Sequence, residues 1–154
     1  MRVTIISDAS VDFHGQRGAY AFWAVSQRGR HAGQGVFKVA CSNPNEAETM
    51  AVVNALHTAI NLGIAAAGDQ VLVQTDSLHA IRVFSGYSLR PKVLKKYASM
   101  MQALREIVAR HNLTMEYRHV KGHSKETDAR SRAQQMTDKR ARKAMRAAKK
   151  QATP

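Results

Sequence analysis

The spacing of apolar residues changes character near residue 43, and this change limits the possible folds more than any other feature of the chain. Before it, short runs rich in β-branched or aromatic residues alternate with polar, Gly-containing turns. Val3 to Ile6, Ala19 to Ser26 and Gly35 to Ala40 read as strands; Val11 to Gly18 and Gln27-Arg28-Gly29-Arg30 read as the turns between them. Three strands joined this way predict an antiparallel meander. After it, Asn43-Pro44-Asn45-Glu46 has the form of a helix start. Asn43 serves as the N-cap, Pro44 takes the first helical position, and Glu46 falls three past the cap. Thr49, Val52, Val53, Leu56 and Ile60 then recur at helical spacing, with Gly63 as the stop. Val71 to Gln74 predicts a fourth strand and Ser77 to Phe84 a short helix. Val93, Tyr97, Met100, Met101, Leu104, Ile107 and Val108 form a long amphipathic stripe. Leu113 to Val120 alternates as a fifth strand, and an Ala-, Arg- and Lys-rich helix runs from about Thr127 to Lys150. The predicted order is β-β-β-α-β-α-α-β-α, an α/β chain. Residues 1–150 are expected to form one domain and 151–154 a short tail.

Charge narrows the partners. The 24 Lys and Arg against 11 Asp and Glu give a net charge of +13, so the chain attracts polyanions at long range. Lys139, Arg140, Arg142, Lys143, Arg146, Lys149 and Lys150 crowd the last helix with no acid among them. A solvated basic helix end is one reading, and contact with nucleic acid the other. The single cysteine, Cys41, excludes an internal disulfide and a Cys-rich zinc site. No apolar run is long enough to span a membrane, and the N-terminus turns polar too early for a signal peptide. A cytoplasmic location is expected.

Against this positive background, four acids occupy telling positions. Asp8 is expected to end the first strand and Asp76 the fourth. Glu48 falls in the first turns of the first long helix, on the face of Val52 and Ala55. Asp138 lies within the last helix, on the face of Gln134, Ala141 and Met145. Strand ends are where an α/β sheet gathers a site. Crowded carboxylates repel one another and hold their protons; a divalent cation with a taste for hard oxygen ligands removes the conflict. Asp8 and Asp76 also have a structural use as turn starters, and three further acids have uses of their own: Glu46 as a capping residue, Asp12 within a turn, and Asp128 at the positive end of the last helix.

Taken together, five stretches change the balance. They are Ile6-Ser-Asp8-Ala-Ser10, Asn45-Glu-Ala-Glu48-Thr-Met-Ala51, Gln74-Thr-Asp76-Ser77, His119-Val-Lys-Gly-His123 and Met136-Thr-Asp138-Lys-Arg-Ala141. In this order the chain resembles ribonuclease H type 1 over nearly its whole length. The resemblance implies the ribonuclease H-like fold, a five-stranded mixed sheet flanked by helices. It implies endonucleolytic cleavage of the RNA strand of an RNA–DNA hybrid with two Mg²⁺ ions, Mn²⁺ being an alternative, and 5′-phosphate and 3′-hydroxyl products. By motif position, Asp8, Glu48, Asp76 and Asp138 become the metal ligands, and His123 becomes a residue that helps protons or product leave. Ser10, Asn45 and Lys121 become substrate contacts, and a monomer is expected.

The chain departs from the family in places. His123 and Asp138 are further apart than usual, and Asp128 lies too near His123 to replace Asp138, so residues 124–132 are expected to form a longer loop or extra helical turn. Ala9 stands where the family has Gly. The basic, Trp-bearing protrusion of many bacterial members is reduced to Gly86 to Lys96, which keeps Arg90, Lys92, Lys95 and Lys96. Of these, Lys92, Lys95 and Lys96 are assigned to substrate. Tyr87 is a candidate sugar contact, and Trp23, the only Trp, is assigned to the core. Two other functions remain open: a related nuclease on the same fold, such as a junction resolvase, and a non-catalytic hybrid-binding module.

Overall fold

The computed structural model describes every residue except 13, 15, 42, 87–89, 123, 124, 153 and 154, and residue 152 in its backbone alone. Its elements are β1 (Arg2–Asp12), β2 (Arg17–Ser26), β3 (Gly29–Val36), α1 (Pro44–Asn61), β4 (Gln70–Thr75), α2 (Leu78–Ser85), α3 (Pro91–His111), β5 (Thr114–His119) and α4 (Ala129–Ala152). The order is the expected one. The strands form one mixed sheet, β3-β2-β1-β4-β5. The first three are antiparallel neighbours, whereas β4 runs parallel to both β1 and β5.

Helices cover both faces. Alternate residues of a strand point to opposite sides. One set, Val3, Ile5, Val71 and Val73, packs with Val52, Ala55, Leu56 and Ala59 of α1 to make the main core. On the other side Gln74 meets Gln134 of α4. Helix α1 begins as its sequence predicts: the Asn43 side chain accepts from the Glu46 backbone N–H at 3.2 Å, with Pro44 in the first turn. At the far end of the sheet, Arg28 from the β2–β3 turn pairs with the buried Asp69 just before β4, at 2.6 Å.

Two strands differ from expectation. The third runs over Gly29–Val36 rather than Gly35 to Ala40, because Gln27 and Arg28 alone make the turn and the chain pairs again at once, Ser26 opposite Gly29. It is an edge strand, so its polar residues face water. Its Gly33 and Gly35 lie opposite Phe22 and Tyr20, whose rings occupy the space a Cβ would need. The first strand is longer than Val3 to Ile6 and carries Asp8 in its interior. Pairing with β4 stops at Ile6–Gln74, while pairing with β2 continues to Asp12–Arg17. The sheet therefore forks, and Asp8 lies two residues beyond the fork.

Candidate active site

The fork opens a gap between β1 and the end of β4, and carboxylates fill it. Asp8 comes from β1, Glu48 from the second turn of α1, and Asp76 from the residue after β4. One oxygen of each lies within 4.8 Å of the other two. Asp8 and Glu48 are almost wholly buried. The Glu48 carboxylate accepts one bond, from the Ala9 backbone N–H at 3.2 Å, yet Glu48 Oε2 and Asp8 Oδ2 are buried with no hydrogen-bond partner. Orphaned buried oxygens of this kind are rare and call for a counter-charge. Burial is the main cause that pushes the Asp8 carboxyl up to about 8, reinforced by the charges of Asp76 and Asp138 and offset in part by its contact with Glu48. Burial, then the charge of Asp8, also hold Glu48 well above the usual carboxylate range.

Asp138 stands beside this triangle. It faces Asp8 closely enough to raise its proton affinity, and it lines a cleft with Asp76, Lys121, Gly122, Gln134 and Arg142. Its carboxylate pairs with Arg142 Nε at 3.2 Å, one turn along α4. Asp128 is not part of the group. It precedes α4 and accepts from the Ser131 N–H at 3.0 Å and the Ser131 hydroxyl at 2.8 Å, the bonds of a helix cap, which keep it below its ordinary range. Glu46 also points elsewhere, to Lys96 at 3.9 Å.

The remaining predicted residues surround the cluster unevenly. Ser10 follows on the forked part of β1, and Asn45 lies exposed in the first turn of α1. Lys121 lines the cleft of Asp76 and Asp138. Lys92, Lys95 and Lys96 lie in the first turns of α3, all exposed. His123 and Tyr87 lie outside the described residues. His119 uses its ring Nε2 to contact the Asp76 carbonyl at 3.2 Å, a backbone role. Trp23 is only half-buried and walls a cavity with Met136, Thr137 and Arg140, so its assignment to the core is corrected: α4 bridges over it without sealing it. Ala9 lies in extended strand, where no left-handed backbone is needed, and replacing the family's Gly there costs nothing.

Two features escaped the sequence reading. Gly122 packs so closely on Asp76 that an added Cβ would lie 2.6 Å from Asp76 Oδ2. Its place beside a His in a short loop was the available signal. The second is a buried chain of amides. Arg118 donates to Gln74 Oε1 at 2.7 and 3.0 Å; Gln74 Nε2 donates to Gln134 Oε1 at 3.1 Å and to the Arg130 carbonyl at 3.0 Å; Gln134 Nε2 donates to the Ser7 carbonyl at 2.9 Å. Ser7 precedes Asp8, Gln74 lies two before Asp76, and Gln134 is one turn before Asp138. The chain thus ties together the three backbones that carry three of the acids. A lone Gln in the apolar run of β4 was its only trace.

A basic α/β domain with carboxylates gathered at a sheet fork is built as a nuclease of the ribonuclease H fold. The family model RNase H matches residues 1–146, and the chain belongs to that family; it is a ribonuclease H. Among curated proteins none matches the sequence. Solved structures agree on the fold. The N-terminal RNase H domain of rv2228c from Mycobacterium tuberculosis, fused to maltose binding protein, superposes with a TM-score of 0.71 at 19% identity, covering 99% of each chain. RNase H1 from the halophilic archaeon Halobacterium salinarum gives 0.66 at 18% identity, over 96% of this chain and 99% of that one. LC11-RNase H1 in complex with RNA/DNA hybrid, an enzyme isolated from compost by a metagenomic approach, gives 0.62 at 18%, over 93% and 99%.

Proposed function

We propose that this protein is an endoribonuclease that hydrolyses the RNA strand of RNA–DNA hybrids, acting as a monomer in the cytoplasm with residues 1–150 as its domain. The observation that carries the reading is the triangle of Asp8, Glu48 and Asp76 with two orphaned buried oxygens. A solved neighbour of the same fold was crystallised with RNA/DNA hybrid, which supports the substrate class. No helix among the described residues is long and apolar enough to cross a membrane.

The donor set suits hard divalent cations: all oxygen and all carboxylate, with one buried oxygen each of Asp8 and Glu48 lacking a hydrogen-bond partner. Asp8, Glu48, Asp76 and Asp138 would hold two Mg²⁺ ions, with Mn²⁺ as a substitute. When bound, such ions supply the charge that activates water and stabilises the leaving oxygen in phosphodiester hydrolysis, leaving 5′-phosphate and 3′-hydroxyl ends. Everything else falls to the protein. Asp8 and Glu48 come from packed elements, so their oxygens need little reorganisation. Gly122 lets the loop after β5 lie against Asp76, which brings Lys121 to the cleft for a phosphate. His123, two residues on, is assigned the passage of protons or product, a task suited to an imidazole near neutrality. Ser10, two residues after Asp8, and Asn45, three before Glu48, are assigned to 2′-hydroxyls, the group that distinguishes RNA from DNA. Lys92, Lys95 and Lys96 at the start of α3 are assigned to backbone phosphates.

The test is a panel of labelled RNA–DNA hybrid, double-stranded RNA, single-stranded RNA, duplex DNA and a four-way junction, each with Mg²⁺ or EDTA. Cutting of the hybrid alone, abolished by EDTA, is the expected result. Preferential cutting of the junction would replace this reading with a resolvase.

A further inference from the structure

Helix α4 reaches well past Asp138, and its charges are not spread evenly around it. At 3.6 residues per turn, each residue advances about 100° around the axis. Counted from Asp138, Arg146 lies at about 80°, Lys139 at about 100°, Lys150 at about 120° and Lys143 at about 140°. All four are exposed. On the opposite flank Gln134, Thr137, Ala141, Ala144 and Met145 are buried against the sheet.

Beyond Asp138, the other cations of this helix have occupations. Arg140 leaves the exposed flank and donates to the carbonyls of Phe22 and Gly33 at 3.0 and 2.9 Å. Arg142 holds Asp138, and Lys149 pairs with Asp12 at 3.5 Å. For Lys139, Lys143, Arg146 and Lys150, no carboxylate partner occurs among the described residues.

The helix is also held firmly along this length. Ala144 and Met145 pack on Ala19 of β2, and the Lys149–Asp12 pair ties its later turns to the end of β1. Helix and strand therefore leave the carboxylate cluster together, α4 from Asp138 to Lys149 beside β1 from Asp8 to Asp12. At 1.5 Å per residue the four free cations span about 16 Å of helix, beginning next to the site. A rigid row of like charges without counter-ions fits a regular polyanion, and a duplex presents one phosphate charge per about 1.7 Å of axis.

We propose that Lys139, Lys143, Arg146 and Lys150 form a track on α4 for the sugar–phosphate backbone of the duplex whose scissile bond lies at the carboxylate cluster. This rests on the ribonuclease reading for the duplex's identity. The track supplies a grip that the short segment between α2 and α3 lacks the length to provide. It carries no sequence information, since ammonium and guanidinium groups meet phosphates and no base edge.

The experiment measures the Kd of a fluorescent 20-base-pair RNA–DNA hybrid by anisotropy in EDTA, between 50 and 200 mM salt. Three proteins are compared: the full chain, the variant K139Q/K143Q/R146Q/K150Q, and a control of equal charge, R2Q/R30Q/R105Q/R110Q, altered toward the opposite end of the sheet. With about 0.9 counter-ions released per phosphate contact, the track variant is expected to lose about 3 to 4 units of log–log salt slope and to bind tenfold or more weakly at about 150 mM. The control keeps a slope close to that of the parent. Equal slopes for the track variant and the parent would overturn the proposal, as would an equal loss in the control, which would assign the effect to net charge. A chain that cuts no hybrid but shows the track-specific loss refutes the ribonuclease reading and keeps the track as a duplex-binding surface. A chain that cuts hybrid with an unchanged slope does the reverse.

Discussion

Replacing Asp8 by Asn should make the metal-free protein more stable while abolishing its activity. The Asp8 carboxyl is pushed from an ordinary value of 3.8 up to about 8, chiefly by burial. Between those values the native state keeps a proton that the unfolded chain releases, so stability falls as pH rises through this window. At about 1.4 kcal/mol per unit, holding that proton at pH 7, where the unfolded chain has released it, costs the fold up to about 4 kcal/mol. Glu48 shares the same burden, so about 2 kcal/mol is the gain expected from removing one of the two titrating groups. Asn adds to this by offering an N–H to the orphaned oxygen of Glu48. For a chain of this size, 2 kcal/mol raises Tm by about 4 to 8 °C. The assay is thermal unfolding by circular dichroism in EDTA at pH 5, 6, 7 and 8. The parent's Tm should fall across the series and that of Asp8→Asn should fall less. Mg²⁺ should raise the Tm of the parent and scarcely move the variant. A variant no more stable than the parent at pH 8 in EDTA, or a parent whose Tm is flat from pH 5 to 8, would refute the argument.

Other substitutions separate site from scaffold. Glu48→Gln should abolish hybrid cleavage, whereas Glu46→Gln removes a long, half-exposed pair with Lys96, worth less than about 1 kcal/mol, and should leave kcat within twofold of the parent; the reverse order in a turnover assay would contradict the placement of α1. Gly122→Ala puts a methyl against Asp76 Oδ2, and kcat should drop tenfold or more with Tm changed by only a few degrees; normal kinetics would show that the loop yields freely. Gln134→Leu leaves Gln74 and the Ser7 carbonyl short of a partner, a loss of about 1 to 3 kcal/mol. It should also raise the Mg²⁺ concentration needed for half-maximal rate, which titration with Mg²⁺ will read directly; an unchanged requirement would make Gln134 a purely structural link.

The element order, the cap of α1 and the choice of Glu48 over Glu46 were legible because local chemistry decides them. Asn43 and Pro44 define where the helix starts, and the start defines which acid faces inward. The extension of β1 was hidden, because Ser7-Asp-Ala-Ser-Val-Asp12 looks like turn chemistry and becomes strand only by pairing with β2. The position of β3 was hidden for a similar reason: an edge strand needs few apolar residues, and its glycines make sense only opposite Tyr20 and Phe22. Asp138 could be preferred to Asp128 through its motif, but the amide chain through Gln134 depends on contacts that no local spacing displays.

The hydrogen bond from Gln134 to the Ser7 carbonyl joins residues 127 positions apart. Closing so long a separation is slow and costly in entropy, so the docking of α4 belongs late in folding, after the hairpin of β1 and β2 has formed. Until then Asp8 and Asp138 belong to different parts of a loose chain and do not feel one another. The mutual repulsion of the carboxylates is therefore met only when most of the sheet is already paired and able to hold them. A chain still being synthesised, with its last helix unfinished, has three acids of the set and none of the frame that aligns the fourth. Assembly of all four acids thus marks completion of the whole topology.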